Sequence, residues 1–339
     1  MALTQDNHFV PQVYLKNFAD ESGEVSEYRT LVSNPNVKEW KSVSTAGTGY
    51  EKNLYTRIVR GEQADDIEQW LSREFESPAQ EAFQKVIEEK QLQDHDWRVL
   101  VRFLASQIVR TPAFLLRNLP LWNQMTPAIL DQTLKDVEAQ LREAKASGKR
   151  IVVVPAPHAD YFPMRVKQEH IPEEGKVKIT TNVIIGRGLW FHAMKHTLTS
   201  TLKVLHRHNW TILEAPTGLE WFTSDDPVLL LNFRSELDFD FNGGWNRAKG
   251  NIILPLSPHH LMFTEIGCPA FPRRVPSKYH SRLIRRLIAL HAHRRIYSLG
   301  HDPKVPHLRP RRVDAAAYNN ERALWTAWYE DQSRAEEAL

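Results

Sequence analysis

The longest apolar runs in this 339-residue chain, such as Ile151 to Val154 and Val228 to Leu231, stop after four residues. A membrane helix needs roughly 20 consecutive apolar residues. The chain is therefore expected to have no membrane span and to build its core from many short amphipathic pieces. An apolar share of 42% and a charged share of 25% lie near globular averages, and ten Trp argue against wholesale disorder. Cys268 is the one cysteine, which excludes an internal disulfide, and the opening MALTQDNHFV lacks the basic-then-apolar pattern of a secretory signal. These features lead us to expect a cytoplasmic protein.

The pattern of short pieces predicts an α+β chain, mostly helical, with an antiparallel sheet formed largely by the 210–266 region and a hairpin near the N-terminus. The hairpin would join Glu24–Leu31 to Val37–Val43 through the turn-forming Ser33-Asn34-Pro35-Asn36. A further strand over Tyr50–Val59 would place Glu51, Asn53 and Tyr55 on one face, because strand side chains alternate. Helices are expected over Asp65–Glu76, Ala79–Lys90 and Asp94–Arg110, the last ended by Pro112. Thr126-Pro127 and Ser147-Gly148 carry start and stop signals for a helix over Thr126–Ala146. Another helix is read over Thr181–His208, then strands over Trp210–Glu214, Glu220–Thr223, Val228–Phe233, Asn251–Leu256 and Leu261–Ile266. Helices Lys278–His293 and Asp314–Glu337 close the chain around a short apolar segment, Ile296–Leu299. Residues 1–339 read as a single elaborate domain, helical over about 62–209, sheet-rich over about 210–300, with a C-terminal helix over 314–337.

A net charge of +3 hides a segregation, and partners respond to local patches rather than to sums. Residues 273–312 hold twelve Lys or Arg against Asp302 alone, a balance of +11, and residues 62–96 hold eleven acids against three bases, a balance of −8. Arg282, Arg285, Arg286 and His293 would share one side of the Lys278–His293 helix, a stripe suited to nucleic-acid phosphates. Pairing of the two blocks within the fold is the alternative.

Several polar groupings have the residue types of a site. His8 and Gln12 flank Pro11 within HFVPQVYLKNF, which reads either as a site element or as a docked N-terminal segment. Phe103, Gln107 and Arg110 follow i, i+4, i+7 spacing, so Arg110 lies on a mostly apolar stripe and needs a partner, either a carboxylate of the acidic block or a bound anion. Thr223-Ser224-Asp225-Asp226-Pro227 puts a hydroxyl and two carboxylates where a turn exposes them, although Asp-Asp-Pro is also an ordinary turn. His192 and His196 lack the glutamate of the zinc-protease motif, and Gly186-Arg187-Gly188 is only a fragment of a phosphate loop. No nucleotide-cofactor fingerprint is present.

HFVPQVYLKNF, Glu51-Lys52-Asn53-Leu54-Tyr55, Phe75-Glu76-Ser77, Gln107 to Pro112, Phe222 to Val228 and Leu254-Pro255-Leu256-Ser257-Pro258 together resemble the bacterial family catalogued as domain of unknown function 4238, over about residues 5–300. The resemblance implies a bacterial or phage-associated protein, with a protein-interaction role in a bacterial defence or conflict system as one outcome, and suggests that these motifs meet in one place. The family pattern carries an asparagine in the late helix, where this chain reads Arg285 to Leu290. Convergence of such residues is what an active site requires. The leading expectation is a metal-dependent phosphodiester hydrolase acting on RNA or DNA. Mg²⁺ or Mn²⁺ would be held by Glu76, Asp225 and Glu51, His8 would serve as base or ligand, and Gln107 and Arg110 would clamp the phosphate. A non-catalytic binder, contacting nucleic acid through Arg282, Arg285 and Arg286, is the rival.

Overall fold

A computed structural model of the chain describes residues 4–59, 61–150, 163–171, 176–270 and 275–337. Arg273 and Arg274 of the basic block lie outside the described residues. The architecture is α+β, as the pattern of short pieces predicts, and strands from both ends of the chain pair in one sheet.

The helix Asp94–Val109 starts with a capping box in which Gln93 and Asp96 satisfy each other's backbone donors. Its turns bury Leu100, Phe103, Leu104 and Gln107. Helices Asp66–Leu71 and Ala79–Ile87 precede it, with a π turn over Ser72–Glu76 before the Ser77-Pro78 break. Into this group plugs the N-terminal segment. Phe9, Val10, Tyr14, Leu15 and Phe18 are buried in the main core cluster. The Tyr14 ring lies 5.4 Å from that of Phe103, and its hydroxyl donates to the Pro255 carbonyl at 2.6 Å. Asn17 donates to the carbonyl of Leu256 at 3.1 Å. Gly49, at φ +69, brings its backbone against Val10, where an added Cβ would lie 3.1 Å from the Val10 carbonyl oxygen.

Two antiparallel sheets carry the rest of the core. A five-stranded sheet runs in the spatial order Thr211–Glu214, His260–Glu265, Asn251–Pro255, Leu229–Phe233, Phe239–Asp240. A four-stranded sheet runs Thr223–Ser224, Arg295–Ser298, Glu24–Arg29, Trp40–Ser44, so the expected hairpin forms and then receives a strand from late in the chain. The 220–223 segment therefore does not join its neighbours in one sheet. Trp221 donates its backbone N–H to Pro258, and Pro227, with no N–H, interrupts the strand before Leu229.

Other helix and strand boundaries also differ from expectation. Tyr50–Val59 is not one strand: Tyr50–Lys52 pairs with Asp6–His8, Asn53 turns the chain at φ 53, and Arg57–Val59 pairs with Glu62–Ala64. Glu51, Asn53 and Tyr55 thus share no face. The helix expected from Thr126 starts at Pro112 and runs to Ser147, because Thr111 caps its first turn by accepting from Phe114 N at 3.2 Å. Pro120 and Pro127 sit inside it, on a largely exposed stretch where the carbonyls they leave without an N–H partner are open to solvent. Gly148, left-handed at φ 67, ends it as predicted. The segment from Thr181 begins as a strand, Lys176–Val183 paired with Met164–Ile171, and turns helical only at Arg187–His196. The β-branched Ile179, Thr180, Thr181 and Val183 favour the strand. No single helix among the described residues is long and apolar enough to cross a membrane.

Candidate functional site

The strings of polar residues seen in the sequence meet along one seam, where the N-terminal ladder, the end of the Asp94–Val109 helix and the Ser224–Pro227 turn come together. The helix ends in a buried setting, so its last carbonyls need donors. Tyr55 OH donates to Arg110 O at 2.6 Å and Trp190 Nε1 to Val109 O at 2.8 Å.

Arg110 follows with a fully buried side chain. Its Nη1 lies 2.6 Å from Glu76 Oε1 and its Nη2 3.9 Å from Glu68 Oε2, while Nη2 also donates to the His8 carbonyl at 2.5 Å. The partner that Arg110 required is therefore a carboxylate of the acidic block, and His8 meets it through its backbone. Burial, helped by Glu76 and Asp65 and opposed by Arg110, pushes the Glu68 carboxyl up to about 7. Burial, with Arg110 adding to it, holds the His8 imidazole below its ordinary value. His8 Nε2, Glu68 Oε2 and Gln107 Oε1 are buried with no hydrogen-bond partner among the described residues. Gln107 Nε2 donates to Ser106 Oγ at 3.3 Å.

One residue further on, Thr111 joins this centre to a second one. Its hydroxyl donates to Asp226 Oδ1 at 3.2 Å, and Arg117 Nη1 reaches Asp226 Oδ2 at 2.6 Å. His291 Nδ1 stands 3.0 Å from the Asp226 carbonyl oxygen. Asp225 turns the other way, and its two carboxylate oxygens accept from His293 N at 2.9 Å and Arg294 N at 2.8 Å. Burial raises the Asp225 carboxyl to about 6, against the opposing Arg295 and those backbone donors. His293 is therefore not on the late helix, which ends at His291, but in the bend that embraces Asp225. Arg110 thus meets the His8 carbonyl, whereas Asp225 is held by the 293–294 backbone, and the link between the helix end and the turn is Thr111 with Asp226, a brace joining the N-terminus, helices and sheet.

The carboxylates expected to share a cation do not form a common donor set. Glu76 is committed to Arg110, Asp225 to two backbone amides, and Glu51 lies on a separate wall beside Arg295. Among the described residues, no group of three or more His, Cys, Asp or Glu side chains has metal-holding geometry. Arg285 is likewise corrected as a phosphate contact: it is buried, donates to Glu220 O and Asp302, and sits 4.8 Å from the centre of the Phe222 ring. Arg282 is exposed and Arg286 half-buried on the same helix. Among the described residues, the ion pairs of the acidic block include Arg57, Lys85, Arg102 and Arg110, all from outside the basic block.

Beside the seam opens a cleft of about 480 Å³. Three elements line it: Tyr50 to Asn53, the Arg294-Arg295 pair with Arg29, and the C-terminal helix Ala315–Glu337 through Tyr318, Glu321, Arg322, Trp325 and Tyr329. Arg294 Nε donates to Glu321 Oε2 at 2.7 Å, tying sheet to helix. Although burial opposes its charge, Arg295 is held firmly protonated by Tyr297, Glu27, Asp225 and Glu51, with Glu27 Oε2 3.7 Å from its Nε. Burial raises the Glu51 carboxyl above its ordinary value, against the opposing field of Arg295. Sequence reasoning counted Arg294, Arg295 and Glu68 only as members of charge blocks, read Asp226 either as a site carboxylate or as part of a turn, and gave Thr111 no role of its own. Their pairing partners lie tens to hundreds of residues away, so spacing carried no signal.

The fold and seam define an α+β protein in which two antiparallel sheets are braced through buried Arg and Asp side chains beside an arginine-lined cleft. The chain belongs to the family described as a protein of unknown function (DUF4238), whose model matches residues 6–302. No curated protein matches it, and no solved structure does.

Proposed function

We propose that the chain hydrolyses phosphodiester bonds of RNA or DNA in the cleft between Glu51 and Arg295. What supports this reading is the placement, in one cavity, of a carboxyl whose protonated form burial favours beside Arg295, an arginine that its acidic neighbours hold in the charged form. Arg294, Arg295 and Arg322 supply positive charge where a phosphoryl group develops negative charge in its transition state. Water attacks phosphorus and releases a proton to solvent, the bond from phosphorus to the leaving oxygen breaks, and Glu51 gives its proton to that oxygen and regains one from solvent, leaving a phosphomonoester and an alcohol. No step is assigned to a divalent ion through Glu51, Glu76 and Asp225, because they share no donor set.

The test is cleavage of labelled RNA and DNA by wild type and Glu51→Gln, in Mg²⁺, Mn²⁺ or chelator. Glu51→Gln is expected to lower the rate about a hundredfold, the usual scale of a general acid. The wild-type rate should decline as pH rises through the raised Glu51 value, since only the protonated form donates. A rate unchanged by Glu51→Gln removes Glu51 from the chemistry. Retention of labelled strands with no product would establish the second reading, a binder without turnover, which is favoured by the commitment of Asp225, Asp226, Glu76 and Arg110 to internal bonds.

A further inference from the structure

One wall of the cleft comes from the helix Ala315–Glu337, which lies beyond the 6–302 segment that the family model matches. Tyr318, Arg322, Trp325 and Tyr329 recur at helical spacing, so they form a single stripe along that wall. The helix is held in place at both ends. Arg294 reaches Glu321, while near the C-terminus Arg187 Nη2 pairs with Glu336 at 2.6 Å and its backbone N–H donates to Gln332 at 2.7 Å. Tyr50 lines the facing wall, its ring 5.4 Å from that of His8. Rigid aromatic rings alternating with cations are what single-stranded nucleic acid requires, because every base offers a stacking face and every linkage a negative charge. A cleft of about 480 Å³ lies in the range of small-ligand pockets. It has room for about one nucleotide unit, not for a double helix.

We infer that the substrate is single-stranded nucleic acid, with one unpaired base stacked on Tyr318 and Trp325 of the C-terminal helix and its phosphate against Arg295 and Arg322. This inference rests on the phosphodiester reading and deepens it. The stacking wall lies outside the 6–302 segment that the family model matches.

The experiment measures anisotropy of three labelled probes of equal length on the full chain: a single strand, its abasic counterpart with the same phosphates, and the duplex. The single strand is expected to bind about five- to a hundredfold tighter than the abasic probe, the range that one stacked base supplies, and tighter than the duplex. Trp325→Ala should reduce the single strand to the affinity of the abasic probe, and Trp325→Phe, which keeps a ring, should restore most of the difference. Tyr318→Ala reads the same contrast if Trp325→Ala does not fold. Equal binding of single-stranded and abasic probes by wild type overturns the inference and leaves the phosphate reading standing. Failure of all three to bind removes both. A mononucleotide that competes at the same concentration as the oligonucleotide also overturns it, since the ligand is then a free nucleotide.

Discussion

Replacing Arg110 with Met tests the brace at its centre. The guanidinium is fully buried, and the substitution deletes an ion pair of 2.6 Å to Glu76, a weaker one of 3.9 Å to Glu68 and the donor to the His8 carbonyl. Two carboxylates that are mostly buried then lose the cation that compensates them, and breaking a buried pair from one side costs about 3–5 kcal/mol. Part of that cost is absorbed by proton uptake. Glu68 already titrates at about 7 in the intact protein, and without Arg110 it is expected to stay neutral to still higher pH. The loss should therefore be smaller below that value than above it. Urea unfolding followed by tryptophan fluorescence reads the change, with an unchanged slope indicating that stability alone has moved. Glu76→Gln in the same background closes a double-mutant cycle, and residues in direct contact should couple by about 0.5–3 kcal/mol. A loss below about 1 kcal/mol, in the range of exposed pairs, would refute the claim that Arg110 is a buried brace.

Two further outcomes follow from the same geometry. Arg285→Ala should destabilise the fold by about 3 kcal/mol or more, by stranding Asp302 and the Glu220 carbonyl, whereas Arg282→Ala on the exposed side of that helix should stay within about 0.5 kcal/mol; equal melting temperatures for the two variants would contradict the buried assignment. Glu68, raised from 4.5 to about 7, contributes stability that is complete below 4.5 and is lost as pH rises through about 7. Glu68→Gln should therefore flatten the decline in unfolding free energy across that window, and an identical pH profile in wild type and variant would refute it.

The sequence by itself determined the local elements whose causes are local. The capping box at Gln93 and Asp96, the stop at Gly148, the Glu24 to Val43 hairpin and the strands from 211 to 265 follow from caps, turn residues and alternation, which act over a few positions. The need of Arg110 for an anionic partner was legible for the same reason, since a cation on an apolar helical stripe must be compensated. Tertiary structure alone decided which carboxylate answered it, and that Asp225 would spend both oxygens on backbone amides of residues 293 and 294. It also decided that Thr223–Ser224 would leave its neighbours for a sheet built with Arg295–Ser298, and that Glu51 would face Arg295 and the C-terminal helix across a cleft. These outcomes depend on side chains brought together from distant parts of the chain, and on burial that raises or lowers a pKa only once the surrounding layers are in place. Spacing along a chain records neither.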